Sequence, residues 1–209
     1  MVTGNPYRHP AVLANMAATL DVISNGRLEL GIGAGWNQQE CDAYGIDLPG
    51  LKERFDRFDE ALAVITGLLT NETTDFEGRH YQLRDARCEP KPVQRPHPPI
   101  TIGGGGEKRT LRSAARYAQH WNLAGGTPEV FAHKLGVLHA HCADVGRDPA
   151  EITTSTQLRL APGEDPSAVA EQAAAFGDVG CDLIVVTLTP PHDPAALEPL
   201  ARALEPLRS

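Results

Sequence analysis

The chain has 209 residues, 41% hydrophobic and 22% charged, which is enough to bury one sizeable core. Its net charge of −8 and scattered basic residues argue against nucleic acid or an anionic membrane surface as a partner. The four cysteines are far apart and form no Cys-x-x-Cys pair, which favours reduced thiols in a cytoplasmic protein over a disulfide scaffold. No apolar stretch reaches the ~18 residues of a membrane span, and the N-terminus lacks a secretion signal. We therefore expect one cytoplasmic domain over residues 1–209.

Short apolar runs alternate with amphipathic helical patterns along the chain. The runs predicted as strands lie near residues 1–4, 28–33, 100–103, 120–123, 152–160 and 183–188. Because a helical pattern follows each of them, the sequence predicts a parallel sheet with right-handed crossovers. Residues 70–99 interrupt the alternation with a small hairpin that turns at Gly78 and a proline-rich approach to the next strand.

Three of these elements carry specific expectations about burial. The first helix should bury one apolar stripe, which consists of Val12, Leu13, Met16, Ala17, Leu20 and Ile23. The apolar run 183–188 is typical of a strand buried on both faces. The last helix should align four leucines on one face, namely Leu197, Leu200, Leu204 and Leu207.

Four glycines, Gly103 to Gly106, end the strand at 100–103 and lead directly into a helical pattern. A strand, a bare turn and a helix N-terminus together present backbone N–H groups to an anion, so the pattern indicates a phosphate site. A merely flexible turn is the alternative. The turn is not a Walker loop, because Glu107 follows Gly106 where lysine is required. It also lacks the dinucleotide fingerprint, which needs a glycine where Lys108 stands.

A second glycine-rich strand end lies at Gly31-Ile32-Gly33-Ala34-Gly35-Trp36 and also misses the dinucleotide pattern, because Trp36 replaces the last glycine. Two such turns at the carboxyl ends of successive strands favour the active-site rim of a (β/α)8 barrel. A doubly wound sheet is the alternative. The helix after Thr127 carries three histidines and Cys142, but no carboxylate or second cluster completes four ligands, so we expect no metal site.

Several motifs, taken in chain order, resemble those of a known protein family. They are residues 3–10, residues 20–27 leading to 31–36, and residues 102–106 leading to 114–118 and Trp121-Asn122. Over essentially the whole chain, these motifs resemble the bacterial luciferase-like monooxygenase superfamily and are most similar to its actinobacterial branch of F420-dependent oxidoreductases. The resemblance implies a (β/α)8 TIM barrel with a flavin or deazaflavin across its C-terminal rim. It also implies that this chain supplies strands three to eight and lacks the first two βα units.

The resemblance assigns cofactor contacts by position. The expected phosphate contacts, through backbone amides and one hydroxyl, are Gly104, Gly105, Gly106 and Thr110. The expected contacts on the ribityl side are Gly33, Ala34 and Gly35, and those behind the ring are Val2, Thr3 and Gly4. Candidates for the substrate pocket are Trp36, Tyr7 and His9.

Four further residues are interpreted as structural. Asp21 and Arg27 are expected to form an ion pair that fixes a helix-to-strand turn, and Arg54 and Glu60 are also interpreted as structural. Catalytic residues cannot be named, because the resemblance places them in the two units before Met1. Little turnover is therefore expected from this chain alone.

Three functions stay open at this stage. The first is an F420-dependent oxidoreductase that exchanges a hydride with a small organic substrate, and the second is an FMN-dependent monooxygenase of the same superfamily. The third is a non-catalytic remnant or partner subunit. Two unpaired sheet edges predict either a homo-oligomer or a complementing chain that supplies the missing strands.

Overall fold

The computed structural model describes residues 1–207. Its strands are β1 (Thr3–Gly4), β2 (Leu30–Gly33), β3 (Thr74–Glu77), β4 (Gln82–Ala86), β5 (Ile100–Gly103), β6 (His120–Leu123), β7 (Thr153–Leu160) and β8 (Leu183–Leu188). Its α-helices are α1 (Pro10–Ser24), α2 (Gln38–Tyr44), α3 (Leu51–Thr70), α4 (Thr110–Tyr117), α5 (Pro128–Val145), α6 (Pro166–Asp178) and α7 (Leu197–Leu204). Short 3-10 turns occupy Asn5–Tyr7, Pro149–Glu151, Pro194–Ala196 and Glu205–Leu207.

Six strands form the main sheet in the order β1-β2-β5-β6-β7-β8, and the pairs β1–β2, β2–β5, β6–β7 and β7–β8 are parallel. These strands are the six predicted from the sequence. The predicted hairpin is confirmed as the antiparallel pair β3–β4. Helix starts follow the expected chemistry, because the Thr127 hydroxyl accepts from the Val130 N–H and the Asp165 carboxylate accepts from the Ser167 N–H. Proline takes the first helical position in both cases.

The described chain divides into two compact units. The first comprises Met1–Gly103 and Tyr117–Gln119, and the second comprises Gly104–Arg116 and the described residues from His120 onward. The organisation as a single domain stays a prediction.

In the first unit, α1 packs on α3 beside β2. The fully buried side chains there include Phe58, Leu62 and Ile65 of α3 and Ile32 of β2. The expected Asp21–Arg27 ion pair is wrong. Asp21 is completely buried and accepts from the Gln94 N–H at 3.0 Å and from the Gln94 side-chain amide at 2.7 Å, while Arg27 Nε donates to the Ser24 carbonyl.

The single apolar stripe expected on α1 is also wrong. The helix buries Leu13, Ala14, Ala17 and Ala18, whereas Val12, Met16, Leu20 and Ile23 are exposed, Ile23 to 75%. The small alanines allow the close contact with α3, so the larger apolar side chains lie on the opposite side. There they line an open apolar groove with Met1, Leu28 and Leu30. We call Val12, Met16, Leu20 and Ile23 the exposed apolar row.

Aromatic rings organise the core of the second unit. Trp121 of β6 lies 5.3 Å from Phe131 of α5, which lies 5.8 Å from Phe176 of α6, measured between ring centroids. All three side chains are buried, and their contacts fix both helices against the sheet.

Two burial expectations in the second unit are wrong. Strand β8 is not buried on both faces, since Leu183 is 45% exposed and the strand lies beside β7 at the end of the sheet that the described residues form. The four leucines predicted to align on the last helix do not all belong to it. Leu197, Leu200 and Leu204 lie in α7, where Leu200 is buried and Leu197 is exposed, while Leu207 lies beyond the helix in the turn Glu205–Leu207.

The expected structural roles of Glu60 and Arg54 are confirmed. The Glu60 carboxylate accepts from the N–H groups of Arg79, His80 and Tyr81 at 2.8–3.0 Å and so holds the hairpin turn against α3. Arg54 Nη1 donates to the Gly35 carbonyl at 3.0 Å. Helix α3 therefore anchors both the hairpin and the loop after β2.

Candidate functional site

The glycine turn after β5 is held by β6. Gly104 has φ +119°, a conformation that favours glycine. Its N–H donates to the Asn122 carbonyl at 2.9 Å, and its carbonyl accepts from the buried Trp121 indole Nε1 at 2.9 Å. Both backbone polar groups of Gly104 are thereby used within the second unit. The amides that remain for an anion are those of the next two glycines.

Gly105 and Gly106 leave no room for a Cβ of their own. A Cβ on Gly105 would lie 2.8 Å from Leu123 Cδ1, and a Cβ on Gly106 would lie 2.8 Å from Thr110 Oγ1. Within residues 1–207, no group accepts a hydrogen bond from either N–H. Thr110 opens α4 and is 7% exposed, so its hydroxyl has a defined place beside the turn. We call Gly104, Gly105, Gly106 and Thr110 the glycine cradle.

Helix α5 holds the residue that follows the cradle. The Glu107 carboxylate accepts from Lys134 Nζ at 2.6 Å and lies 3.0 Å from His133 Nε2, while its carbonyl lies 2.8 Å from His141 Nε2. The bonds from Lys134 and then His133 lower the pKa of Glu107, which keeps it ionised. The Lys134 alkyl chain runs past Gly105, with Cε 3.7 Å from the site of a Cβ. An ion pair thus flanks the cradle.

In the first unit, the register of β1 with β2 brings several predicted site residues together. Thr3 lies opposite Ile32 and Gly4 opposite Gly33, and a Cβ on Gly33 would be 3.7 Å from Val2 Cγ2. These contacts place Val2, Thr3, Gly4 and Gly33 on adjacent strand ends. The expected roles of these residues toward a cofactor stay predictions.

The loop after Gly33 is fixed by its backbone. Gly35 has φ +88°, and a Cβ there would lie 2.9 Å from Pro6 Cδ, so the position is closed to other residues on two grounds. Its carbonyl accepts from Arg54, as described above. Ala34 therefore lies in a segment whose backbone is fixed at Gly35, whereas the Trp36 side chain is 84% exposed.

The other two candidates for a substrate pocket are tied to neighbours in the first unit. The Tyr7 hydroxyl donates to Glu40 Oε2 at 2.6 Å, and this bond, with burial second, raises the pKa of Tyr7 to about 12. His9 Nδ1 accepts from the Ala11 N–H and so caps α1. The His9 ring meets Tyr81 edge-on at 5.2 Å, in a cleft of about 290 Å³ that Arg54 and Arg57 also line. His9 therefore faces a cationic cleft that Tyr7 does not line.

The described residues form neither a metal-binding cluster nor a helix that could span a membrane. In the part of the chain that the structure describes, no three His, Cys, Asp or Glu side chains group closely enough to hold a metal ion. Over the same residues, no helix combines the length and apolar character needed to cross a bilayer. Burial raises the pKa of the Cys88, Cys142 and Cys181 thiols.

Comparison with known proteins identifies the family. The model of the luciferase-like monooxygenase family matches residues 1–205. The chain belongs to this family. It is 31% identical over 198 residues to the F420-dependent glucose-6-phosphate dehydrogenase of Microbacterium testaceum (strain StLB037), covering 94% of this chain and 57% of that protein. It is 33% identical over 117 residues to the FMNH(2)-dependent dimethylsulfone monooxygenase of Pseudomonas putida, covering 56% of this chain and 32% of that protein.

A solved structure extends the match to the fold. An F420-dependent secondary alcohol dehydrogenase in complex with an F420–acetone adduct aligns with 100% of this chain and 78% of its own, with a TM-score of 0.87 and 17% sequence identity. The predicted fold class, a parallel α/β fold of the TIM-barrel type with six of its strands in this chain, is confirmed. The chain spans 57% of the first of these curated relatives and 32% of the second.

Sequence reasoning missed the contacts that hold the cradle. Trp121 and Asn122 belong to a motif that carried the resemblance, but nothing in the sequence assigned them to the Gly104 backbone. The partners of Glu107 lie more than twenty residues away on α5. The one sequence feature that could have indicated this ion pair is the acidic residue Glu107, directly after four glycines.

Proposed function

We propose that the protein is an oxidoreductase that binds coenzyme F420 and positions it for hydride exchange with a small organic substrate. The observation that carries this proposal is the glycine cradle, in which the buried Thr110 hydroxyl lies beside two glycines that are closed to side chains and whose amides have no protein acceptor among the described residues. This donor set suits a phosphate oxygen. Membership of the family and the F420-dependent relative support the choice of coenzyme.

Residues of this chain can be assigned to three parts of the coenzyme, namely its phosphate, its ribityl chain and its ring. The amides of Gly105 and Gly106 and the Thr110 hydroxyl would hold the phosphate, while Gly104 keeps the turn in place through its bonds to β6. Gly33, Ala34 and Gly35 would face the ribityl chain, and Val2, Thr3 and Gly4 would support the ring. When bound, F420 supplies a deazaflavin ring that accepts or donates a hydride.

The substrate side is proposed to lie near the cationic cleft of the first unit. His9, Arg54 and Arg57 line this cleft, and the exposed Trp36 follows the loop that Arg54 holds. These side chains would orient a polar substrate and limit the access of water. We assign no proton transfer to any of them.

An FMN-dependent monooxygenase is the second candidate, supported by the relative from Pseudomonas putida. Titration of the purified chain with F420 and with FMN, followed by quenching of their fluorescence, separates the two functions. We expect saturable binding of F420, tighter than that of FMN. Tighter binding of FMN would favour the monooxygenase, and binding of neither coenzyme would favour the non-catalytic alternative.

A further inference from the structure

We propose that the Glu107–Lys134 pair makes the glycine cradle selective for a phosphodiester, which carries one negative charge, over a terminal phosphate monoester, which carries two. This inference rests on the proposed function and refines the identity of the ligand. F420 carries its phosphate as a diester, whereas FMN ends in a monoester. The pair would therefore decide between the two coenzymes that the same cradle could hold.

The first step of the argument is the position of the pair. Glu107 follows the last cradle glycine directly, and Lys134 runs along Gly105 before its ammonium reaches the Glu107 carboxylate at 2.6 Å. The Lys134 side chain is 21% exposed. The Glu107 side chain is 42% exposed, but the two opposite charges are in direct contact and largely cancel, so the closed pair contributes little net potential to the cradle.

The second step is the charge of the remaining donors. The Gly105 and Gly106 amides and the Thr110 hydroxyl are neutral. His133 and His141 also contact Glu107, one at its carboxylate and one at its carbonyl, and both side chains are directed to Glu107. Lys108 is exposed. A neutral donor set suits a singly charged phosphate, whereas a dianion is held best by a cation that is not already neutralised.

The third step is the dependence on ligand charge. An added positive potential at the cradle stabilises a bound dianion by about twice as much as a bound monoanion, because the energy scales with the product of the charges. Altering the charge of the pair must therefore change the ratio of the two affinities. A change that acts only through the shape of the turn would alter both affinities together.

The experiment uses FMN and its phosphate methyl ester, which share a ring and ribityl chain and differ by one charge, at pH about 8, where a monoester is a dianion. The dissociation constants are measured for the whole chain and for Glu107→Gln, Lys134→Gln and the double variant. Glu171→Gln is the control, because it removes the same charge from an exposed position on α6 in the same unit. F420 is titrated in parallel.

We expect Glu107→Gln to tighten FMN relative to the methyl ester by about tenfold, and Lys134→Gln to weaken it by a similar factor. The double variant restores a neutral pair, so it should return the ratio to that of the unaltered chain, as should the control. A ratio that stays constant in both single variants overturns the proposal. A double variant that keeps the altered ratio of one single variant overturns it as well, since the effect would then be steric.

Failure of the proposed function gives a different result. If F420 and FMN both fail to bind the unaltered chain, the proposed function fails, and the phosphorus line widths of inorganic phosphate and of dimethyl phosphate then decide the inference. Glu107→Gln should broaden the line of inorganic phosphate, a dianion at pH about 8, more than that of the singly charged diester. Equal changes of the two line widths overturn the inference.

Discussion

The indole Nε1 of Trp121 donates a hydrogen bond to the carbonyl oxygen of Gly104 at 2.9 Å. Through this bond, the aromatic core of the second unit fixes the first residue of the glycine cradle. We predict that Trp121→Phe, which keeps an aromatic ring against Phe131, destabilises the protein by about 1–2 kcal/mol because the partly buried Gly104 carbonyl loses its donor. Coenzyme affinity should fall as well. Urea denaturation and coenzyme titration measure the two effects.

The control for this variant is Trp36→Phe, because the Trp36 side chain is 84% exposed. Its free energy of unfolding should change by less than about 0.5 kcal/mol. A Trp121→Phe protein as stable as the control, with unchanged coenzyme affinity, would mean that the bond to Gly104 has no role in holding the cradle.

The sequence predicted the cradle but not the space around it. Four glycines between a strand and a helix indicate an anion site from local chemistry alone, and Thr110, which the family resemblance added, lies beside Gly106. The role of these residues toward a phosphate stays a prediction. The packing of Leu123 against Gly105 depends on tertiary contacts and could not be predicted. Since a Cβ on Gly105 would lie 2.8 Å from Leu123 Cδ1, Gly105→Val would disturb the core as well as the ligand space. Thr110 is therefore the better position for a binding test.

Local patterns also failed where tertiary contacts choose between faces of an element. The apolar positions of α1 have helical spacing, but their spacing cannot say that α3 takes the alanine side and leaves Met16 and Leu20 exposed. In the same way, the apolar composition of β8 says nothing about its position at the end of the sheet order. The six strands were predictable because their β-branched runs and flanking turns are local signals.

The exposed apolar row on α1 predicts self-association or association with a complementing chain. Each large apolar side chain contributes about 1.5–3 kcal/mol when it becomes buried, so four of them on one face favour a contact. We expect light scattering to give a mass of at least a dimer for the purified chain. Leu20→Lys combined with Ile23→Lys should shift the mass toward a monomer, because a lysine ammonium opposes burial.

Val130→Lys is the matched control for the apolar row, since Val130 is an exposed apolar residue on α5 in the other unit. It should leave the mass unchanged. A well-folded, monodisperse monomer of the unaltered chain at micromolar concentration would contradict the prediction.

The hydrogen bond of Tyr7 predicts that the stability of the fold decreases with pH in the alkaline range. Its hydroxyl donates to Glu40, and the pKa of Tyr7 rises from 10.0 to about 12. Because the pKa in the folded state lies above that in the unfolded state, the bond stabilises the fold below pH 10.0 and is lost as the pH rises toward about 12. The free energy of unfolding of the unaltered chain relative to Tyr7→Phe should therefore be largest at neutral pH and decrease above pH 10.0. A difference that stays constant across this range would show that Tyr7 does not titrate as predicted.

The burial of the cysteines predicts that their thiols react slowly with a disulfide reagent. Cys41, Cys88 and Cys142 are buried, and burial raises the pKa of Cys88, Cys142 and the half-buried Cys181. Since the thiolate is the reactive form, an aromatic disulfide reagent should modify at most one thiol of the folded chain before unfolding, and all four thiols in denaturant. Rapid modification of two or more thiols in the folded chain would contradict the burial described.

The central claim, that the glycine cradle holds the coenzyme phosphate, is tested most directly by comparing F420 with the same deazaflavin lacking its phosphate and everything beyond it. We predict that F420 binds at least about tenfold more tightly, and that Thr110→Val, which removes one hydroxyl donor, reduces this advantage by about fivefold or more while Thr110→Ser preserves it. Equal affinities of the unaltered chain for the two deazaflavins, or an advantage that survives Thr110→Val unchanged, would contradict the account.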